Sequence, residues 1–305
     1  MKTTYSSRPA KPFQWPGGKG RLVAKLLPLI PQGGDPFCEP FAGSLAVLFA
    51  RNPAQTESVN DVDSRIINFY RVLKNPQSFL ELKALISQTL FSRAEFARAV
   101  MVLQTCDTCS PVLKAWSFYV AANQGMIGSI SRNMTQGNWG RNVNIANGLC
   151  INVNRYLRHL HFLDYFHYRI QNVAIESEDA LSFIKRYDSN TAIMYVDPPY
   201  AFTRYKYKHE VNEDYHRELI DFLLSCKSAI VLSHYVNPMY EVLAKYGWQK
   251  IEFPVASSMG VVKGLGQRLI NKLRVECVWR NPKAVALASA PLLIAQTNDD
   301  ALLCD

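Results

Sequence analysis

The motif YVDPPY at residues 195–200 places an acid, two prolines and an aromatic ring directly after an apolar run. Proline cannot donate a hydrogen bond to a sheet ladder, so the predicted strand ends at Asp197. The stiff Pro–Pro pair directs the carboxylate of Asp197 and the carbonyl of Pro198 toward one point. Both accept hydrogen bonds and suit an amino group, while Tyr200 can stack on a planar ring. The motif indicates a site for an amino group on an aromatic base; the alternative is a kinked loop with a capping aspartate.

A second set of residues indicates a nucleoside cofactor. Gly43, in the motif FAGS, lies at a predicted strand-to-helix junction where the backbone can approach a ligand. Asp61 follows 18 residues later, at the predicted tip of the next strand, where a carboxylate can bind ribose hydroxyls. The alternative for Asp61 is a helix N-cap, which Asp63 or Ser64 would provide equally well. The glycine-rich phosphate-binding fingerprints are absent from the sequence, so the predicted nucleoside has no phosphate chain.

The stretch FQWPGGKG precedes these motifs and forms a predicted tight loop. Trp15 could stack on a ligand, and Lys19 could reach a carboxylate or order the loop. The alternative is a loop at a helix start with a solvated lysine.

The charge of the chain favours a nucleic-acid partner. The 305 residues carry a net charge of +9, although charged residues make up only 19% of them. A basic balance of this size favours a polyanion. The alternative is an enzyme that is merely basic.

Cysteines and histidines give no sign of a metal site. The seven cysteines are dispersed and no signal peptide is recognisable, which predicts a reducing, cytoplasmic location. Cys106 and Cys109 form a CxxC without the second pair that zinc needs, so we predict ordinary thiols in a helical segment. The six histidines are spread out. No apolar run reaches the ~20 residues that span a membrane.

An alternating strand and helix pattern occurs in two separate parts of the chain. Residues 1–74 and 168–283 have this α/β pattern, which predicts one discontinuous catalytic domain with a parallel sheet. Residues 75–167 contain helical stretches and a polar loop, which predicts an inserted, mostly helical domain. Residues 284–305 are rich in small residues and predict a peripheral tail.

In chain order, these motifs resemble those of the Dam-type (D12 class) DNA adenine-N6 methyltransferases. The segment WPGGKGRLV is similar to the family's W-x-G-G-K motif, FCEPFAGSLAV to its E-P-F-x-G motif, and VDPPY to its catalytic motif. The resemblance implies a Rossmann-like methyltransferase sheet with an inserted, mostly helical target-recognition domain. It also implies S-adenosylmethionine as the methyl donor, no metal, and double-stranded DNA as the partner.

The resemblance implies a role for each matching residue. Asp197, Pro198 and Tyr200 would hold an adenine that is flipped out of the duplex. The residues implied to contact or line the cofactor are Trp15, Lys19, Glu39, Gly43, Asp61, Asp179 and Asp197. Two rival functions stay open: methylation of RNA or of a free nucleoside, and DNA-binding regulation by a protein with a decayed site. Binding of S-adenosylmethionine would argue against the second.

Basic residues outside these motifs are candidates for DNA contact. Arg132 and Arg141 lie in an acid-free stretch rich in glycine and asparagine, and arginine suits guanine in the major groove. Basic and aromatic residues in two later stretches suit phosphates and a nucleic-acid strand: Tyr205, Lys206, Lys208, Lys263, Arg268 and Lys272. The alternative is a solvated basic face.

The two groups of basic residues should respond differently to substitution. Arg132→Ala or Arg141→Ala should relax the choice of site, at a cost of ~1–3 kcal/mol on the preferred sequence. Lys263→Ala or Lys272→Ala should weaken binding to all sequences equally and make its salt dependence shallower. Methylation profiles over a library of randomised sites, with binding titrations in salt, measure both effects. Arginine variants with an unchanged preference at every position would contradict the assignment.

Overall fold

The computed structural model describes residues 11–126, 130, 138–140, 145–146, 149–200, 211–255 and 274–289. Its strands are β1 (Phe37–Glu39), β2 (Glu57–Asn60), β3 (Ile145–Ala146), β4 (Leu149–Cys150), β5 (Val173–Glu176), β6 (Ile193–Val196), β7 (Ala229–Tyr235), β8 (Gln249–Val255) and β9 (Arg274–Arg280). Its helices are α1 (Val23–Leu26), α2 (Ala46–Ala50), α3 (Ser64–Lys74), α4 (Pro76–Gln88), α5 (Arg93–Thr105), α6 (Pro111–Gln124), α7 (Ile151–His161), α8 (Leu163–Ile170), α9 (Ala180–Tyr187), α10 (Glu213–Ser225), α11 (Val242–Lys245) and α12 (Pro282–Ser289). None of these described helices is long and apolar enough to cross a membrane.

The main sheet has the strand order β5-β2-β1-β6-β7-β9-β8. The strands from β5 to β7 are parallel, whereas β9 pairs antiparallel with both β7 and β8. The order along the chain reverses between β1 and β6, and open parallel sheets bind ligands beyond the strand ends at such a switch point. This topology confirms the α/β, Rossmann-like fold that the sequence predicts.

Helices cover both faces of the sheet. One core cluster joins α3 and α6 to the sheet through residues such as Phe69 and Phe118. A second cluster on the other face contains Phe183 of α9 and Leu219 of α10. Because both faces are covered, β6 is buried at every position and its sequence is a continuous apolar run. A strand held in this way gives a rigid base to the residues that follow it.

The region predicted as a mostly helical insert, residues 75–167, contains α4 to α7 and the short pair β3 and β4. The insert packs on the sheet domain through α6, where the ring of Phe118 lies 4.9 Å from that of Phe13. The insert therefore shares a core with the sheet. The predicted boundary after residue 167 falls inside α8, and the domain limits stay a prediction.

The prediction of two ordinary thiols in a helical segment is wrong for Cys106 and Cys109. Their sulfur atoms are bonded to each other. Cys106 is the C-cap of α5, and the pair lies in the turn before α6, where the two Cα atoms are 5.5 Å apart, a bridgeable distance. The spacing of the two cysteines in the sequence does not show that α5 ends at Thr105, and this helix end is what lets the two residues come close together.

The segment predicted as a peripheral tail begins inside a packed helix. Ala284 of α12 is fully buried, and its N–H donates to Asn281 Oδ1 at 2.9 Å. The same Asn281 oxygen accepts from Ile230 N of β7 at 3.1 Å. Asn281 therefore ties α12 to the sheet, and residue 284 belongs to the core. Residues 290–305 lie outside the described residues.

A buried ion network fixes β2, the strand that leads to Asp61. Glu57 accepts hydrogen bonds from Arg169 at 2.5 and 2.8 Å and from Arg51 at 3.3 Å. All three side chains are at most 7% exposed. Removing one member of such a network leaves an uncompensated buried charge, which is strongly unfavourable.

Glu57→Ala should therefore lower the free energy of unfolding by ~3–5 kcal/mol, because two buried guanidinium groups lose their carboxylate. The matched control is Lys83→Ala, which breaks the Lys83–Asp164 pair, whose side chains are 41% and 45% exposed. That change should cost under ~1 kcal/mol. Urea denaturation followed by circular dichroism measures both. If both variants lowered the free energy of unfolding by the same amount, burial would not be what sets the strength of this network.

Candidate active site

A cavity of about 400 Å³ lies at the carboxyl ends of β1, β2 and β6. Its walls come from the loop before α1, the turn between β1 and α2, the ends of β2 and β5, and the segment after β6. All residues predicted to contact the cofactor line this cavity, namely Trp15, Lys19, Glu39, Gly43, Asp61, Asp179 and Asp197. Pro198 and Tyr200 line it too. The fold thus brings these residues together, and their binding roles stay predictions.

The turn after β1 faces the cavity with its backbone. Gly43 has φ +46°, in the left-handed region that glycine tolerates. A Cβ here would lie 3.1 Å from the Trp15 ring, so the ring would have to shift. The Gly43 N–H donates to Asp61 Oδ2 at 2.9 Å, and the Tyr70 hydroxyl donates to the Gly43 carbonyl at 3.0 Å. These contacts hold the turn against the tip of β2.

Asp61 holds this turn in place through a hydrogen bond, and it is not the N-cap of a helix. The cap of α3 is Asp63, whose carboxylate accepts from Arg65 N at 3.0 Å. Asp61 Oδ1 accepts from Asp63 N at 2.9 Å. Burial raises the pKa of Asp61 to about 6, although the N–H groups of Asp63 and Gly43 act to lower it. Each carboxylate oxygen has a second lone pair that suits a ligand hydroxyl.

Glu39 ends β1 and lies beneath the same turn. Its side chain is 2% exposed, and Oε1 accepts from the Leu48 N–H of α2 at 2.7 Å. Burial raises the pKa of Glu39 to about 8, although the bond from Leu48 acts to lower it. The ligand-free protein therefore holds this carboxyl mostly protonated at neutral pH. A cation in the cavity would favour its ionised form.

An ion pair joins the N-terminal loop to the end of β6. Lys19 Nζ lies 2.5 and 2.6 Å from the two oxygens of Asp197 and also donates to the Gly17 carbonyl at 3.0 Å. Burial alone would lower the pKa of Lys19, but the carboxylates of Asp197 and Glu276 raise it above its usual value. Burial raises the pKa of Asp197 to about 6, against the opposite effect of Lys19.

Tyr200 lies over this ion pair with its ring fixed on several sides. Lys19 Nζ is 4.7 Å from the ring centroid. The rings of His234 and Tyr235 lie 4.6 and 4.5 Å away. The Tyr200 hydroxyl donates to Glu276 Oε1. The ring that the sequence predicts to stack on a base is thus held in one orientation.

Two residues in or beside the cavity, Glu276 and Tyr215, belong to none of the motifs recognised in the sequence. Glu276 lies on β9, and the available signal was a single acid in the apolar strand RVECVW. Tyr215 of α10 lines the cavity, and its hydroxyl donates to Asp179 Oδ1 at 3.3 Å. Asp179 also caps α9 through the N–H groups of Leu181 and Ser182. Nothing in the sequence indicates a role for Tyr215, because a tyrosine on an amphipathic helix is common.

The residues predicted to touch DNA lie outside the described residues, so the structure places none of them: Arg132, Arg141, Tyr205, Lys206, Lys208, Lys263, Arg268 and Lys272. Among the residues that are described, no group of three or more His, Cys, Asp or Glu side chains could hold a metal ion.

Comparison with known families assigns the chain to a class of enzyme. Residues 15–252 match the D12 class N6 adenine-specific DNA methyltransferases. The match spans most of the chain, and the chain belongs to this family. The family resemblance that the sequence motifs indicate is therefore confirmed, and the chain is an adenine-specific DNA methyltransferase.

The chain is also similar to individual proteins, one of them a curated enzyme and two of them solved structures. The chain is 27% identical over 266 residues to the type II methyltransferase M1.LlaDCHI of Lactococcus lactis subsp. cremoris, with 79% of this chain and 87% of the relative covered. Two structures of the rRNA methyltransferase aviRa from Streptomyces viridochromogenes are 13% and 14% identical, with 94% of this chain and 90% of theirs covered. Their TM-scores are only 0.29 and 0.31, so the fold assignment rests on the strand order.

The raised pKa of Glu39 predicts a pH-dependent stability. The folded pKa of about 8 exceeds the unfolded value, so this carboxyl stabilises the fold at low pH. That contribution should be lost as pH rises from about 4.5 to about 8, and one pKa unit corresponds to about 1.4 kcal/mol. Glu39→Gln keeps an oxygen for the Leu48 N–H and removes the titration.

The two proteins should therefore be equally stable near pH 4, and at pH 8 the wild type should be less stable than the variant by ~4 kcal/mol. Denaturation curves of the ligand-free proteins at several pH values measure this difference. A constant difference across the range would contradict the buried, protonated state of Glu39.

Proposed function

We propose that this enzyme transfers the methyl group of S-adenosylmethionine to N6 of an adenine that is flipped out of a specific site in double-stranded DNA. The observation that carries the proposal is the position of Asp197, Pro198 and Tyr200 beside the cavity at the switch point of the sheet. The family establishes methylation of adenine in DNA. The cofactor, the flipped base and the site preference are the parts that we propose.

The chemistry of the cavity supports S-adenosylmethionine as the cofactor. A cavity of about 400 Å³ is in the usual range for a ligand of this size. The carboxyl groups of Glu39, which is buried, and of Asp61 and Asp197, which are half-buried, line it and suit a molecule with a sulfonium and an ammonium group. Asp61 would bind the ribose hydroxyls, and Trp15 would pack against the ligand beside Gly43. When bound, S-adenosylmethionine supplies an electrophilic methyl group.

The segment after β6 supports an amino group as the acceptor of the methyl. Extrusion of a base costs a few kcal/mol, and stacking on an aromatic ring such as Tyr200 restores ~1–3 kcal/mol. Asp197 and the carbonyl of Pro198 would accept the two N6 hydrogens and orient the nitrogen lone pair. Positive charge develops on N6 as it gains the methyl, and the Asp197 carboxylate would stabilise it and accept the departing proton.

The relative from Lactococcus is named a type II methyltransferase. This name supports the proposal that the present enzyme also serves a restriction-modification system. Its substrate would then be the DNA of a bacterial cytoplasm, in line with the net charge of +9.

Asp197→Ala should reduce kcat by about 100-fold or more, because N6 loses both an acceptor and its alignment. Binding of duplex DNA should remain, because the residues that we propose to contact phosphates lie elsewhere in the sequence. Transfer of a radioactive methyl group and fluorescence anisotropy with a DNA duplex measure the two properties. The matched control is Asp221→Ala, an exposed aspartate on α10, which should retain full turnover. An Asp197→Ala enzyme within about tenfold of the wild type would refute the proposed role.

A further inference from the structure

Glu276 is a buried acid at the site that no motif of the sequence includes. It lies on β9, beyond the stretch of residues 15–252 that defines the family match, and is 4% exposed. The Tyr200 hydroxyl donates to its Oε1, and Lys19 Nζ lies 3.5 Å from the same oxygen. A buried acid is unfavourable without compensation, so these two contacts are what stabilise Glu276.

The hydrogen bonds of Lys19 conflict with the proposed role of Asp197. An ammonium group has three donors, and those of Lys19 reach the Gly17 carbonyl and both Asp197 oxygens. Each Asp197 oxygen keeps a second lone pair for an incoming amino group, but the Lys19 ammonium would then lie beside that group and repel the positive charge that develops on N6. Glu276 is a second carboxylate within 3.5 Å of Nζ, so a small movement of the ammonium group exchanges one acceptor for the other.

We propose that Glu276 is a positioning residue for methyl transfer, which anchors the Tyr200 ring and draws Lys19 away from Asp197 when the target amino group arrives. This inference rests on the proposed function, in which Asp197 binds that amino group. Glu276 itself need not touch the substrate. Its effect passes through Tyr200 and Lys19.

The charge of Glu276 also acts on the titration of Asp197. Of the charged groups around Asp197, Lys19 lowers its pKa and Glu276 raises it. Among the described residues, the other titratable groups that interact with Asp197 or Lys19 are Lys11, Glu39, Tyr195, Tyr200, His234 and Tyr235. Removal of the Glu276 charge should therefore lower the pKa of Asp197, and a purely structural role for Glu276 would not produce this shift.

Glu276→Gln is the sharpest test, because the amide keeps the volume and an acceptor for the Tyr200 hydroxyl but loses the charge. We expect kcat to fall about 10- to 100-fold, with KM for S-adenosylmethionine and affinity for duplex DNA nearly unchanged. The acidic limb of the pH profile of kcat/KM should move to lower pH. The control is Glu252→Gln on the neighbouring strand β8, where the side chain is 48% exposed, and this variant should match the wild type.

Tyr200→Phe provides the second variant, because it keeps the ring and removes the hydroxyl that Glu276 anchors. It should lower kcat on its own. In the double variant with Glu276→Gln, the fall in kcat should be smaller than the product of the two single falls. If Glu276→Gln does not fold, Tyr200→Phe carries the test alone, and wild-type kcat in that variant overturns the inference.

Three results overturn the inference directly. The first is a Glu276→Gln enzyme with the kcat of the wild type and an acidic limb at the same pH. The second is a fall in its kcat that is matched by an equal loss of cofactor or DNA binding. The third is a double variant, with Tyr200→Phe, whose fall in kcat equals the product of the two single falls. Failure of the proposed function is a separate outcome, because it would appear as retained turnover in Asp197→Ala. An inactive Asp197→Ala together with a fully active Glu276→Gln would reject the role of Glu276 alone.

Discussion

The ion pair between Lys19 and Asp197 is the contact on which the candidate site depends. It links residues 178 positions apart and fastens the N-terminal loop over the end of β6. Lys19 is 4% exposed, so its charge is tolerated only because carboxylates surround it. The loop in turn places Trp15 against Gly43, which closes one side of the cavity. A single buried cation thus joins the two halves of the ligand site.

The parallel sheet explains why so many acids meet in one place. Glu39, Asp61 and Asp197 end or follow three neighbouring strands, and parallel strands end at the same edge. Burial at this edge raises the pKa of all three carboxyl groups. The fold therefore keeps protonatable acids next to a cation and a cavity. A positively charged ligand would relieve this arrangement by stabilising the ionised forms.

The sequence predicted the parts of the site that depend on local order along the chain. Asp61 and Asp197 were placed correctly at strand ends because an apolar run that stops at an acid or a proline is visible without a structure. Glu276 and Tyr215 were not found, because their contacts depend on which strands and helices are neighbours. The pairing of β9 between β7 and β8 brings Glu276 beneath Tyr200, and no local pattern encodes that pairing. The Cys106–Cys109 bond was missed for a related reason, since it depends on where α5 ends.

Strand β9 comes late in the sequence, so the sheet can be completed only late in the synthesis of the chain. A ribosome that has translated residues 1–255 has made every motif by which the family is recognised, yet β7 and β8 still lack the strand that joins them. Domains form from the N-terminus as the chain emerges, so Tyr200 must wait some 76 residues for its acceptor on Glu276. A chain that stops before β9 therefore has the family's signature but leaves the Tyr200 hydroxyl without its Glu276 acceptor.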